Sequence, residues 1–286
     1  MVIRGVESVG LPYVAAGFVV SLVAGAAATV LVFKLASTVY GDDAGLRAAV
    51  LFAVFPGMGA VWGMLYSECV GLALAAGCLL LMARERWVLA GLLGALASAT
   101  NPMGLALVAP ALVLSVQAIV RKQPLGPLVT LALVPLGFAE FALYLGWRYH
   151  DLLFWWHVQH QVWGATVDFG KSLVLLMPHL WRVGQYQGSG YLQWIGLLAI
   201  IGGLVALWRA RPPLFIAAYG VAVFVMCVVS NQGLKPRLLS WAFPVLIAVA
   251  AVVGRRTWQS LVVGFAMLSP IVLLTYTTYG AALMAP

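Results

Sequence analysis

Ionisable side chains are what this sequence has least of. Asp, Glu, Lys and Arg make up 8% of its 286 residues, hydrophobic residues 64%, and the mean hydropathy is +1.03. A soluble domain carries about 25% charged residues, so that class is excluded and composition alone points to a polytopic membrane protein. Acids are scarcer than bases, eight against sixteen. Most of the bases fall between apolar runs, as cytoplasmic loop charge does, so nucleic acid is not an expected partner. Three cysteines (Cys69, Cys78, Cys227) all lie inside apolar runs. Without metal-ligand or redox spacing they read as small buried side chains. A Gly-rich phosphate loop, a nucleophile elbow and a relay line of acids are all missing. The first apolar run, beginning near Tyr13, is too long for a signal-peptide h-region, so no cleavable leader is expected.

What the chain does have is one polar interruption, 147–172, WRYHDLLFWWHVQHQVWGATVDFGKS. It holds three of the four histidines (His150, His157, His160) and four of the eleven tryptophans (Trp147, Trp155, Trp156, Trp163). Amphipathic rings concentrate where lipid meets water, because one end of each is apolar and the other seeks a hydrogen bond. The expectation is an outer-face segment over 148–191, rich in aromatics and histidine, within a single membrane domain covering 1–286.

The apolar runs predict an all-α bundle of about seven to nine spans. They fall near 13–35, 46–65, 69–83, 126–147, 192–208, 213–230, 237–254 and 257–281. Pro56-Gly57 predicts a kink in the second. Asp42-Asp43, just after a glycine and before a helix, predicts an N-cap rather than a metal site. The run 87–120 exceeds the roughly 20 residues of one span and is broken at Thr100-Asn101-Pro102-Met103-Gly104. If it turns back as a hairpin, ten bases share one side: Lys34, Arg47, Arg84, Arg86, Arg121, Lys122, Arg209, Arg211, Arg255 and Arg256. Six remain on the other: Arg4, Arg148, Lys171, Arg182, Lys235 and Arg237. A single span would erase that bias, so the positive-inside rule favours the hairpin and places 147–172 outside the cytoplasm. The stretch 173–191 is too short and polar-ended for a span and is expected to be interfacial or re-entrant.

Acids within spans are candidates for function, because a buried charge costs about 2.5–3.5 kcal/mol at a helix centre. Glu140 is the clearest and Glu68, at an outer span end, the second. A packing role for Glu140 and a solvent-facing one for Glu68 stay open. Arg237 opens a span on the same side, where its fork suits a phosphate or simply anchors the helix. His157, His160 and Gln161 are spaced i, i+3, i+4. They lack a third metal ligand nearby, so no metal site is expected, and the same residues suit a sugar or lipid head group.

Several of these segments, in this order, resemble the GPI mannosyltransferase II-like branch of the GT-C glycosyltransferases. They are the FPGMGAVWGMLYSE run (Phe55 to Tyr66-Ser67-Glu68), the ARERWVLAGLLGALASATNPMG run (Trp87 to Gly104), Gln161-x-Trp163-Gly164, and the KPRLLSWAFP run (Pro236, Arg237, Phe243, Pro244). The resemblance implies a multispan enzyme of a bacterial plasma membrane that takes mannose from a polyprenyl-phosphate donor on the non-cytoplasmic face. Its partners would be that donor, a glycolipid or glycan acceptor and membrane lipid, and no cofactor is implied. Phosphate binding falls to Arg237, substrate contacts to Tyr66, Gln161, Trp163, His157 and His160, and catalytic carboxylates to Glu68 or Glu140.

This sequence departs from the family pattern in two places. Asn101 stands where the family has an arginine before proline. The family's acidic motif belongs to a first outer loop, and here Glu7 is the only acid before the first span. The competing expectation is therefore an inactive or truncated relative that assembles with a membrane partner. A transporter is less favoured, because no internal repeat is found.

Overall fold

A computed structural model describes residues 2–8, 10–63, 66–176, 189–230 and 234–278. Its helices are α1 (Val2–Glu7), α2 (Tyr13–Tyr40), α3 (Asp42–Val54), α4 (Pro56–Gly63), α5 (Glu68–Ala83), α6 (Trp87–Thr100), α7 (Val108–Val120) and α8 (Gly126–Tyr149). They continue as α9 (Phe154–His157), α10 (Lys171–Leu176), α11 (Ser189–Ala210), α12 (Leu214–Val229), α13 (Pro236–Leu239), α14 (Phe243–Val252) and α15 (Arg255–Thr278). The fold is thus an all-α, polytopic helical bundle, as the apolar runs predict.

Among the described residues, four helical segments are long and apolar enough to cross a membrane: Tyr13–Tyr40, Pro102–Val120, Gly126–Tyr149 and Arg255–Thr275. The α3–α4 pair, bent by 59° at Phe55, adds a fifth if its two arms form one broken span. Pro56 removes a backbone donor at that bend, so the predicted kink is where the sequence places it. The other apolar helices, α5 and α6 among them, run 10–17 residues, short of the roughly 20 that cross a bilayer unaided. Enclosure is the reason: α5 is buried along most of its length, from Glu68 to Met82. A helix shielded by its neighbours need not match the bilayer on its own.

The run 87–120 does turn back on itself. Asn101 leaves helical geometry with φ −153° and ψ 135°, and its Oδ1 accepts from the Met103 amide at 3.0 Å. A 3₁₀ turn, Pro102–Leu107, then brings Gly104 so close to the Ala97 and Ser98 backbone that a Cβ there would collide with it. The return is completed at the other end, where Thr130 Oγ1 of α8 donates to the Trp87 carbonyl at 2.7 Å. Both ends of the hairpin therefore lie together.

At this same end the Tyr40 hydroxyl donates to the Ala210 carbonyl at 3.2 Å and Trp258 Nε1 to the Arg47 carbonyl at 3.2 Å. Arg47, Arg209, Arg211, Arg255 and Arg256, five of the ten bases grouped by charge bias, belong to or adjoin the helices that these two bonds join. Of the six bases assigned to the other side, Arg182 lies outside the described residues, as does most of the 173–191 stretch expected to be interfacial. One detail differs from expectation. Gly41, not an aspartate, occupies the N-cap of α3, and Asp43 inside the first turn instead pairs with Arg47 at 2.8 Å. The acids still favour the positive end of the helix dipole, without a side-chain cap.

A candidate binding cavity

The opposite end of the bundle carries a cavity of about 510 Å³, walled by the α4–α5 junction, the 100–103 break, the 155–167 segment and the ends of α12 and α13. Each wall is positioned by a local feature. Ser67 Oγ donates to the Thr100 carbonyl at 3.2 Å, tying the start of α5 to the end of α6. Gly57 packs against the Pro236 carbonyl, where any Cβ would collide, so α4 sets the position of α13 and hence of Arg237. Trp155 meets Phe138 of α8 edge to face at 4.9 Å, which docks the tryptophan helix on the bundle. Beyond it, the Asp168 and Phe169 amides donate to the Val229 carbonyl at 3.0 and 3.1 Å, fastening the segment to α12.

The polar centre is Glu68 with Arg237 and Tyr66. Arg237 Nη1 stands 3.7 Å from Glu68 Oε1, with the two side chains 16% and 5% exposed. The guanidinium carbon lies over the Tyr66 ring at 4.6 Å. Burial pushes the Tyr66 phenol above its usual range, with Arg237 pulling weakly the other way. Arg237 Nε is buried without a hydrogen-bond partner. The ion pair is too long for a hydrogen bond, so this guanidinium is placed but not saturated. Beside it, burial and then the Arg237 charge lower the Lys235 ammonium to about 8.

Around that centre stand three indoles (Trp155, Trp156, Trp163) and two amides (Asn101, Gln159). Glu68 is the carboxylate among the lining residues. On the other side of α13 runs a second hollow, about 480 Å³ and almost wholly apolar, lined among others by Phe55, Leu198, Pro236, Leu246 and Phe265. The one-turn helix α13 thus turns Arg237 and Leu238 to the polar cavity and Pro236 and Leu239 to the apolar one.

Of the candidate residues, Tyr66, Glu68, Trp163 and Arg237 are brought together here. Four others are not. Glu140 lies on the outward face of α8, in a shallow depression with Tyr144 and Trp147. His157 is exposed, its Nδ1 2.6 Å from Asp151 Oδ2, and that contact holds the Asp151 carboxyl below its usual range. His160 stacks on Trp156 and its Nδ1 lies 3.2 Å from the Ala165 carbonyl. Gln161 is exposed and Gln159 takes the cavity position. The cause is a π-helical turn over Val158–Val162, whose wider i→i+5 repeat breaks the i, i+4 spacing assumed from sequence. Gln159, Trp155 and Asn101 are sites missed by residue spacing. The first two belong to the conspicuous aromatic stretch, and Asn101 to the helix break. Among the described residues, no three His, Cys, Asp or Glu side chains gather as metal ligands.

No protein-family model matches the chain, and no curated protein matches it. Among solved structures, the crystal structure of ArnT from Cupriavidus metallidurans bound to undecaprenyl phosphate is similar, with a TM-score of 0.60 at 18% identity. The match covers 94% of this chain and 52% of that one, so the chain spans about half the length of ArnT. The likeness is one of fold alone, a shared helical-bundle architecture.

Proposed function

We propose that this chain is the donor-binding part of an integral membrane glycosyltransferase that draws on a polyprenyl-phosphate-linked sugar. The observation that carries this reading is Arg237, a half-buried guanidinium with an unpartnered Nε, standing between a polar cavity and an apolar hollow on one short helix. An anionic head group on an isoprenoid chain has that shape. Its phosphate would take the guanidinium fork, a charge-assisted and bidentate contact. Its first prenyl units would lie against Pro236 and Leu246, and its sugar against the indoles and amides. ArnT, solved with undecaprenyl phosphate bound, has the same fold and supports the reading. So does the charge bias, which favours the non-cytoplasmic side for the end of the bundle that carries the cavity. The sequence runs around Tyr66-Ser67-Glu68, Trp87–Gly104 and Arg237 favour the GPI mannosyltransferase II-like branch and mannose as the sugar.

In the transfer, an acceptor hydroxyl oxygen bonds to the anomeric carbon as the carbon–oxygen bond to phosphate breaks. The phosphate leaves with the electron pair, its charge balanced by Arg237. In an inverting displacement the base that takes the hydroxyl proton faces the sugar from the side opposite the leaving group. Glu68 lies beside Arg237, on the phosphate side, and so holds the guanidinium in place. A second reading makes Glu68 the base itself, because it is the carboxylate lining the cavity.

Transfer from polyprenyl-phosphate mannose by the full chain in bilayer nanodiscs separates the two. With Glu68 as a positioning group, Glu68→Gln raises the donor KM about tenfold and lowers kcat little. With Glu68 as base, kcat falls at least a thousandfold at unchanged donor affinity. Donor affinity unaffected by Arg237→Gln would remove the basis of both.

A further inference from the structure

The outward face of α8 carries an acid that the cavity does not use. Leu136, Ala139, Glu140, Leu143, Tyr144 and Trp147 line one shallow depression on this single helix. Their spacing, i, i+3, i+4, i+7, i+8 and i+11, is the stripe by which one helix packs along another. Leu136, Leu143, Tyr144 and Trp147 are all more than half exposed. The helix packs on α6, α7 and α9 through its other faces.

Glu140 is nine residues short of Tyr149, the last residue of α8, which puts it about 13 Å below that end at 1.5 Å per residue. A carboxylate facing lipid at that depth is costly, and such acids normally face a bundle interior or pair with a cation. No side chain of the described residues forms an ion pair with it. A parallel second copy offers no match in depth, since Lys34, the cation on the lipid-length helix α2, lies near the opposite end of the bundle.

We propose that this stripe is the docking face for a transmembrane helix of another membrane protein, and that this helix carries Lys or Arg at the level of Glu140. The cation would meet the carboxylate with the indole of Trp147 and the phenol of Tyr144 at the interfacial end of the seam. Leu136, Ala139 and Leu143 would interdigitate with apolar side chains of the partner below. The inference is independent of what the cavity binds.

The test places a photocrosslinking amino acid at position 143 of the full chain in its native membrane, with a control at Val23 on α2. The expected adduct is a peptide from a transmembrane helix of a different protein, with Lys or Arg within one turn of the attachment point. Glu140→Gln should lower its yield at least tenfold while leaving the detergent unfolding midpoint unchanged, because the side chain is exposed. Glu140→Lys should abolish it, and exchanging the partner's cation for Glu should restore it. An adduct with lipid alone, with a second copy of this chain, or with a helix lacking a cation overturns the proposal. So does a yield indifferent to Glu140→Gln.

Discussion

The Glu68 carboxylate stands 3.7 Å from the Arg237 guanidinium, which in turn covers the Tyr66 ring at 4.6 Å. Removing one member of such a pair leaves the other buried and uncompensated, a loss of about 3–5 kcal/mol. Arg237→Met should therefore lower the unfolding midpoint in detergent more than Glu68→Gln/Arg237→Met does, since the double variant leaves no stranded charge. A double variant at least as unstable as Arg237→Met would contradict the coupling.

Lys235 gives the site a pH dependence. Its folded value of about 8 lies below the ordinary 10.5. Between those two values the unfolded chain keeps a proton that the folded chain has released. Stability then rises with pH across that window, because the unfolded state binds more protons there. Below about 8 both states are protonated and the folded state carries the full penalty. Lys235→Met should flatten the rise from pH 8 to 10, and a bound phosphate lipid, which favours the ammonium, should shift its onset upward. Identical pH profiles for the parent and Lys235→Met would argue against this.

Gly57 tests how α13 is held. A methyl there meets the Pro236 backbone, and overpacking of this kind costs about 1–3 kcal/mol. Gly57→Ala should lower the unfolding midpoint and weaken lipid-phosphate binding together, because Pro236 moves with Arg237. Gly264→Ala, where a Cβ meets open space, should change neither. Loss of stability with intact binding would uncouple α4 from the site.

Trp163 lines the cavity yet is 42% exposed, so its loss should cost little stability, about 0.5 kcal/mol or less. Trp163→Leu should weaken binding of polyprenyl-phosphate mannose about tenfold and leave undecaprenyl phosphate unaffected. Equal weakening of both ligands would move the indole from the sugar to the lipid.

Much of this arrangement is legible in the sequence because membrane proteins write topology in charge and length. The bases around 84–86 and 121–122 imply a hairpin before any coordinates, and Asn101-Pro102 marks its turn. Glu68 and Arg237 stand out as charges at span ends on one side. Burial is harder to read. Hydropathy ranks Glu140 as an acid in an apolar run but says nothing of which way α8 turns, and its face points outward. Gln161 misleads for a local reason, since a π-helical turn is not encoded in apolar spacing and moves the cavity position to Gln159. Helix length reads better: α5 runs Glu68–Ala83 against the expected 69–83, and it falls short of a bilayer because its neighbours shelter it.

The measurement that bears most directly on the account is the affinity of the full chain, in nanodiscs, for undecaprenyl phosphate, followed by the fluorescence of the cavity tryptophans. The account predicts saturable binding, competed by other polyprenyl phosphates but not by inorganic phosphate alone, because both the apolar hollow and Arg237 are engaged. Arg237→Gln should raise Kd at least tenfold, about 1.4 kcal/mol, with the fold intact. Binding indifferent to Arg237→Gln, or no saturable binding by the parent chain, would contradict it.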